Sequence, residues 1–324
     1  MKNFMVAVAL VANPGSIQIA VGQDYPVRPI TMIVPHTAAG GTDIVARIVA
    51  DRMKVTLGSP IVVENIPAAA GTVGASRLAR AAPDGYTIGV GDQTSFVISS
   101  AVNPVQYDVL KDFEPISLLS TSPAVLVARS ALRAQNLREL IAWLRVNPDK
   151  ATIGTFGQGS GPHIISTAFQ NRTGTRLVSV PYRGVGPALH DLVSGQVDLA
   201  FTETSGMLPH LRSGAIKAYA ILTPTRSTTA PDIPAIDEAG GPALHITTWR
   251  GMWVPKGTPD AIRSKLLTAV VSALGDPDVR KRVAEVGHEI VPQAQQTPDA
   301  LHLHHKAEIE KWWPMVKAAG AGPN

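Results

Sequence analysis

The stretch that decides the fold is ITMIVPHTAAGGTDIVARIVADRMKVTLG, residues 30–58. Its first five residues form an apolar run that predicts a buried strand. The loop HTAAGGT follows, and residues 43–57 then repeat apolar side chains at helical spacing. Gly58 stands where a helix is expected to end. The stretch therefore predicts one strand-loop-helix unit of an α/β protein.

The same alternation recurs along the chain. Apolar runs and glycine-rich turns predict strands at 61–64 and 86–90, with a helix at 72–81 between them. A second series begins near residue 124, with a predicted helix at 137–144 and strands at 152–156, 177–181, 197–202 and 215–222. Strands that alternate with helices favour a mostly parallel sheet in each series.

Two apolar segments, 123–128 and 246–254, bracket the second series. We interpret them as two hinge strands that cross between two lobes. Lobe 1 is then discontinuous, with residues 23–124 plus 253–324, and lobe 2 has residues 125–252. Two long helices complete lobe 1, each preceded by Thr-Pro-Asp, at 258–260 and 297–299, which predicts a capping threonine.

Composition excludes several classes of function. The 324 residues include no cysteine, which excludes disulfides, cysteine-bound metals and cysteine nucleophiles. The net charge is +4, and the charges are scattered without the basic stripe that nucleic acid requires. We therefore expect no nucleic-acid partner, and no cofactor or metal.

Residues 1–22 have the features of a signal peptide. Lys2 precedes an apolar stretch at 4–12, and Ala20-Val21-Gly22 offers a small-x-small cleavage site. The alternative is a buried N-terminal strand. Export to a bacterial periplasm is the favoured prediction, and it agrees with the absence of cysteine.

Three glycine-rich loops, at 38–43, 154–163 and 181–184, each follow an apolar run and precede a predicted helix. Free backbone N–H groups at the positive end of a helix dipole hold anions, and glycine lets the backbone approach them closely. Hydroxyls of Thr42, Thr155 and Ser160 add donors. Any one loop alone could be an ordinary α/β turn, but three together favour an anion site.

Other chemistries find less support in the residues. The P-loop and dinucleotide-binding motifs are absent. Ser160 and His163 could form the dyad of a hydrolase, but residue 158 is Gln where a nucleophile elbow has Gly. Trp312 and Trp313 are expected to dock the last helix rather than to contact a ligand. We therefore expect a binding protein and no enzyme.

Several segments together resemble the solute-binding proteins of tripartite tricarboxylate transporters, the Bug family. They include YPVRPITMIVPHTAAGGTDIVAR (25–47), VPYRGVGPALHDLVSGQVDLAF (180–201), RGMWVPKGTPD (250–260) and KWWPMVKAAG (311–320). The resemblance implies a two-lobed Venus-flytrap fold of type II. It also implies a periplasmic monomer that captures a small carboxylate and delivers it to large and small membrane subunits of a transporter. The carboxylate could be a di- or tricarboxylate, an aromatic acid or an amino acid. Docking to a membrane sensor kinase stays open as an alternative.

The resemblance assigns ligand contacts to facing loops of the two lobes. The expected contacts are Thr37, Ala38, Gly40, Gly41, Thr42 and Asp43 from the first loop, Thr155, Gly159, Ser160 and His163 from the second, and Arg183 and Gly184 from the PYRG turn. Gln93 and Thr94, after a first-lobe strand, are also expected to reach the ligand.

The chain departs from the family pattern at a few positions. It has His36 where Phe is usual, Ala39 where Gly is usual, and Glu203 near a common Asn or Asp. Glu203, if it faces the cleft, would repel a second carboxylate or select a ligand with a donor there. The alternative is that Glu203 points into solvent.

Overall fold

The computed structural model describes residues 25–205 and 207–322, so the predicted signal peptide lies outside the described residues. The decisive stretch forms strand β1 (Ile30–Val34) and helix α1 (Gly41–Leu57). Gly58 ends α1 with a left-handed φ of 66°, a conformation that glycine adopts at little cost. No helix within the described residues is long and apolar enough to cross a bilayer.

The remaining elements follow in chain order. The strands are β2 (Ile61–Asn65), β3 (Thr87–Asp92), β4 (Phe113–Arg129), β5 (Thr152–Thr155), β6 (Val178–Pro181), β7 (Leu199–Glu203), β8 (Ile216–Ile221), β9 (Thr247–Pro255) and β10 (Glu289–Ile290). The helices are α2 (Thr72–Ala79), α3 (Ser99–Val102), α4 (Leu137–Val146), α5 (Gly161–Thr173), α6 (Val185–Val193), α7 (Leu208–Arg212), α8 (Asp260–Gly275), α9 (Pro277–Glu285) and α10 (Pro298–Ala318). A π turn, Thr94–Ile98, leads from β3 into α3.

Two lobes share the long strand β4. The strand order is β2-β1-β3-β9-β4-β7-β5-β6, with β8 and β10 also paired to β4. Residues 113–123 of β4 pair with β9, whereas residues 124–129 pair with β7 and β8. The first lobe therefore carries the parallel strands β1 to β3, and the second carries the parallel strands β5 to β7. The two-lobed α/β fold is confirmed.

The crossing between the lobes lies on β4 and just before β9. Pro123 pairs with Thr247 in the first lobe, and the next residue, Ala124, pairs with Glu203 in the second. Both predicted crossing segments overlap these strands. The predicted lobe boundary at 252/253 falls inside β9 and stays a prediction.

Apolar side chains from β1, α1, β9 and α8 fill the first-lobe core. Met32, Val49, Met252 and Val270 are all fully buried in one cluster. Burying one such side chain stabilises the fold by about 1.5–3 kcal/mol. The helical spacing noted in the sequence thus corresponds to the face of α1 that packs inward.

After β9, one of the two predicted threonine caps is present, the other is absent, and the structure has one helix that was not predicted. Thr297 caps α10 as expected, since its hydroxyl accepts the Ala300 N–H at 3.1 Å. The expected cap at Thr258 was wrong, because Pro259 is the N-cap and the Thr258 hydroxyl donates to the Pro255 carbonyl at 2.8 Å. A third helix, α9, was missed; it is short and begins at a proline behind the capping Asp276.

Helix α10 docks on the first lobe through buried polar contacts. The indoles of Trp312 and Trp249 donate to Glu308 Oε2 at 2.9 and 3.1 Å. His305 donates to the Phe96 carbonyl at 2.8 Å, and the Trp313 indole donates to the Val97 carbonyl at 3.2 Å. Phe96 and Val97 belong to the π turn, so α10 fixes the segment that follows β3. The expected docking role of the two tryptophans is confirmed.

Candidate functional site

The loop between β1 and α1 leads into the first turn of a helix, where backbone N–H groups have no partner within the helix. Gly40 is the N-cap of α1 and receives no side-chain capping bond. The amides of Gly41 and Thr42 stand in the first turn, where a helix supplies no carbonyl partner. Thr37 and Ala38 are exposed on the same loop. This end of α1 therefore favours negative charge.

Asp43 braces this loop from inside the first lobe. Its carboxylate accepts bonds from the Ala39 N–H at 2.8 Å, Asn65 Nδ2 at 2.8 Å and Arg47 Nε at 3.0 Å. Burial acts to raise the pKa of Asp43, but these hydrogen bonds outweigh it and lower the pKa. Both carboxylate oxygens thus already hold protein donors, and a ligand contact by Asp43 stays a prediction.

Asp92, at the end of β3, anchors a buried polar group beside α1. Thr42 Oγ1 donates to Asp92 Oδ2 at 3.0 Å, and His36 Nε2 lies 3.0 Å from Oδ1 as an ion pair without hydrogen-bond alignment. Burial would raise the pKa of Asp92, yet His36 and Arg250 hold it well below its usual range. For His36, burial would lower the pKa, but Asp92 outweighs it and raises the pKa above 6.5.

Arg250 and Glu203 form an ion pair between the lobes. Arg250 lies on β9 and is 1% exposed, and its Nη2 lies 2.5 Å from Oε2 of Glu203 at the end of β7. The alternative in which Glu203 points into solvent therefore does not hold in this structure. Whether Glu203 contacts a ligand stays a prediction.

His288 completes the cluster just before β10. It is fully buried, and burial followed by the charge of Arg250 lowers its pKa well below 6.5, so the ring is neutral at pH 7. Neither ring nitrogen of His288, nor Nε and Nη1 of Arg250, has a hydrogen-bond partner among residues 25–205 and 207–322. Buried polar atoms of this kind require a water or a ligand.

Gly41 is the point where these groups meet the α1 terminus. A methyl group at Gly41 would lie 3.1 Å from His288 Nε2 and 3.2 Å from Arg250 Nη2. His288 and Arg250 thus pack against the glycine more closely than a side chain there would allow. The α1 amides, the guanidinium and the imidazole converge there, and such a set of donors can hold an anion.

The second predicted loop lies at the start of α5. Ser160 is the N-cap, and its hydroxyl donates to the Gly157 carbonyl at 2.7 Å and accepts the His163 N–H at 3.4 Å. His163 Nδ1 instead accepts the Gly159 N–H at 3.2 Å. The Ser160 hydroxyl therefore caps a helix, and within the described chain it makes no hydrogen bond to the His163 ring. Thr155, at the end of β5, is buried with its hydroxyl 3.2 Å from that of Ser179.

This second loop faces the first lobe. A methyl group at Gly159 would lie 2.7 Å from Cγ1 of Val102 on α3. Gln158 Nε2 donates to the Gly320 carbonyl, beyond the end of α10, at 3.3 Å. The loop after β5 therefore contacts the first lobe at α3 and just after α10, and its contact with a ligand stays a prediction.

The remaining predicted residues fall in two places. Arg183 and Gly184 lie between β6 and α6 of the second lobe, whereas Gln93 and Thr94 adjoin the cluster, where the Thr94 N–H donates to Asp92 Oδ1 at 2.9 Å. Arg183 is exposed and Gly184 is half-buried at the start of α6. Gln93 is buried next to Asp92 with Oε1 unpartnered among the described residues, and Thr94 is half-buried. A cavity of about 760 Å³ opens at the far end of β4, near Arg133 and Trp143, and contains none of the predicted site residues.

Three residues of the cluster were missed by sequence reasoning: Asp92, Arg250 and His288. Arg250 had a usable signal, because it is the single charge in the apolar segment 246–254, and charged residues are rarely buried without a partner. Asp92 adjoins the predicted Gln93 and Thr94. His288 follows a glycine after a helix and carries no local signal.

Comparison with known proteins identifies the family. Residues 45–321 match the model described as tripartite tricarboxylate transporter family receptor. BugT of Bordetella pertussis is 34% identical over 318 residues, which cover 98% of this chain and 95% of BugT. The structure of the periplasmic binding protein BugD is 36% identical with a TM-score of 0.82, and the match covers 93% of this chain and all of BugD.

Two related structures carry ligands. MatC from Rhodopseudomonas palustris with bound malate is 36% identical with a TM-score of 0.81, covering 90% of this chain and 100% of MatC. A second R. palustris protein, with adipate, is 31% identical with a TM-score of 0.84, covering 93% of this chain and 100% of the other. From the family match and these similarities over nearly the whole length, the chain belongs to the tripartite tricarboxylate transporter receptor family.

Proposed function

We propose that this chain is a periplasmic solute-binding protein that captures a small carboxylate between its lobes. The observation that carries the proposal is the convergence at Gly41. The first turn of α1, Arg250 and His288 lie together there, and Nε and Nη1 of Arg250 and both ring nitrogens of His288 lack partners among the described residues. Related proteins that bind malate and adipate share the fold and more than 30% identity.

Capture would follow closure of the two lobes. The loop before α5 contacts Val102 and Gly320 of the first lobe, and the loop before α1 begins a helix whose positive end favours an anion. Oriented amides then replace the hydration shell of the carboxylate without rearrangement. Rotation about β4 and β9, the two strands at the crossing, would open and close the cleft.

The proposal also covers delivery of the ligand to a membrane transporter and the location of the protein in the periplasm. The family match supports transfer of the ligand to the large and small membrane subunits of a transporter. Residues 1–22 would direct export to the periplasm, and the protein would act as a monomer. The proposed lobes are residues 23–124 plus 253–324 and residues 125–252.

The proposal also assigns no enzymatic activity to the chain. The hydroxyl of Ser160 is held by the backbone of its own turn rather than by an imidazole base, which supports a binding role for this loop.

The variant Gly41→Ala tests the site. Its methyl group would lie 3.1 Å from His288 Nε2 and 3.2 Å from Arg250 Nη2, so these buried side chains would have to shift, at a cost of about 1–3 kcal/mol of folding stability. We therefore expect G41A to fold with stability reduced by up to about 3 kcal/mol and to lose carboxylate binding. Gly275→Ala is the matched control, because Gly275 also lies in a helix but has no atom within 4 Å of the position that an alanine methyl group would occupy.

The measurement is a thermal-shift screen of the purified protein against mono-, di- and tricarboxylates, aromatic acids and amino acids. A ligand at about 100 times its Kd should add about 2.7 kcal/mol of stability. The shift should be present in the parent and G275A and absent in G41A. Flat curves for the parent across the panel, or an unchanged shift in G41A, would contradict the proposal.

A further inference from the structure

The cleft cluster contains two basic side chains, each beside a carboxylate of the protein. Arg250 on β9 faces Glu203 on β7, and His36 after β1 faces Asp92 on β3. Ser205 also donates to Glu203 Oε2 at 3.2 Å. The third basic group, His288, is a neutral ring. Each cation that borders the α1 terminus is therefore matched by a carboxylate of the protein itself.

Because each basic side chain of the cluster is already paired with a carboxylate of the protein, the cluster favours a ligand with a single carboxylate. Nε and Nη1 of Arg250 and the ring nitrogens of His288 lack partners among the described residues, and with the first turn of α1 they are the groups that would hold one carboxylate. A second carboxylate in the same cleft would meet Glu203, with no unmatched side-chain cation among the described residues of the cluster. Removing that charge from water without a partner is costly, and like charges in a partly buried site repel strongly.

We propose that Glu203, paired with Arg250 across the lobes, restricts this protein to monocarboxylates and excludes dicarboxylates. This inference rests on the proposed function and adds to it the class of ligand. The protein's own carboxylate takes the position that a second acid group would need. The chain would thus differ from its relatives with malate and adipate, both of which are dicarboxylates.

The residue Glu203 suits a direct test, because Glu203→Gln keeps the shape of the side chain and removes its charge. Arg250 would then have no protein anion and could accept a ligand carboxylate. Glu238→Gln is the matched control, since Glu238 pairs with Arg226 at 2.8 Å on the exposed surface of the second lobe. Neither variant changes the loops that carry the α1 and α5 amides.

The probes are chain-matched acids: butanoate with succinate, 3-hydroxybutanoate with malate, and hexanoate with adipate. Calorimetric titration gives the ratio of the dicarboxylate Kd to the monocarboxylate Kd for each pair. We expect a ratio of at least about tenfold in the parent and in E238Q, equal to about 1.4 kcal/mol. In E203Q the ratio should fall by at least about tenfold through tighter binding of the dicarboxylate.

Two results would overturn the inference while leaving carboxylate capture intact. One is a parent protein whose ratio lies below tenfold, and the other is an E203Q ratio equal to that of the parent. The parent ratio needs no variant, so the test stands even where E203Q does not fold. Failure of the parent to bind any acid across the wider thermal-shift panel would instead overturn carboxylate capture itself.

Discussion

Gly159 approaches the first lobe more closely than a larger side chain would allow, and Gly159→Ala should therefore weaken ligand binding. The added methyl group would lie 2.7 Å from Cγ1 of Val102, a distance that requires α3 or the loop to move. Gly157 lies in the same loop and also has a positive φ, 93° against 77° for Gly159. A methyl group at Gly157 meets nothing within 4 Å, so Gly157→Ala is a matched control.

The expected free-energy cost of Gly159→Ala has two parts, one on folding and one on ligand binding. Both variants place alanine in the left-handed region, which costs about 1–2 kcal/mol of folding stability. Only G159A also overpacks the contact between the lobes, at a further cost of about 1–3 kcal/mol. That second cost applies when the lobes are closed, so it should appear as a Kd about 5-fold to 140-fold weaker.

The assay compares both variants by denaturation and by titration with whichever carboxylate the parent binds. G157A and G159A should lose similar folding stability, whereas only G159A should lose affinity. Val102→Ala in the G159A background removes the colliding methyl groups and should restore part of the affinity. Equal Kd values for G157A and G159A would refute the reasoning, and so would a double variant no better than G159A.

Two further predictions concern buried pairs of the first lobe. His36→Gln should reduce stability more at about pH 6 than at about pH 8, measured as denaturation midpoints against the parent at each pH. The folded-state pKa of His36 is raised above 6.5, so its stabilisation is complete below the unfolded pKa and is lost as pH rises through the folded one; an equal loss at both pH values would contradict this pairing. Glu308→Ala should cost about 2–5 kcal/mol in urea denaturation, because it leaves two buried indole N–H groups unpaired. Glu308→Gln, which keeps an acceptor, should cost less than half as much, and equal losses would argue against the hydrogen bonds.

Local periodicity made much of the fold predictable. The apolar run at 30–34 and the helical spacing after it gave β1 and α1, with α1 starting two residues earlier than expected, at Gly41, and ending at Leu57 as predicted. These elements are encoded by neighbours in sequence, because burial on one face imposes a period on the chain. Helix α9 was missed because its apolar positions are few and a proline opens it.

The polar cluster could not be predicted in the same way. Asp92, Arg250 and His288 come from three elements far apart in the sequence, and only the sheet order brings them together. His36 and Glu203 stood out as departures from the family pattern. An unusual residue in a sequence does not show which side chain it will pair with in the fold, here Asp92 and Arg250. The loops that offer backbone amides were readable because glycine and the following helix are local signals.

Strand β4 belongs to both sheets without interruption, and this has a thermodynamic consequence. The two halves use different residues of β4, 113–123 and 124–129, so melting either half frees one end of a strand that continues into the other. Heating should therefore produce a single cooperative unfolding transition, although the molecule has two lobes separated by a cleft. An isolated half would also present the bare edge of a long strand, and edges of that kind recruit other chains.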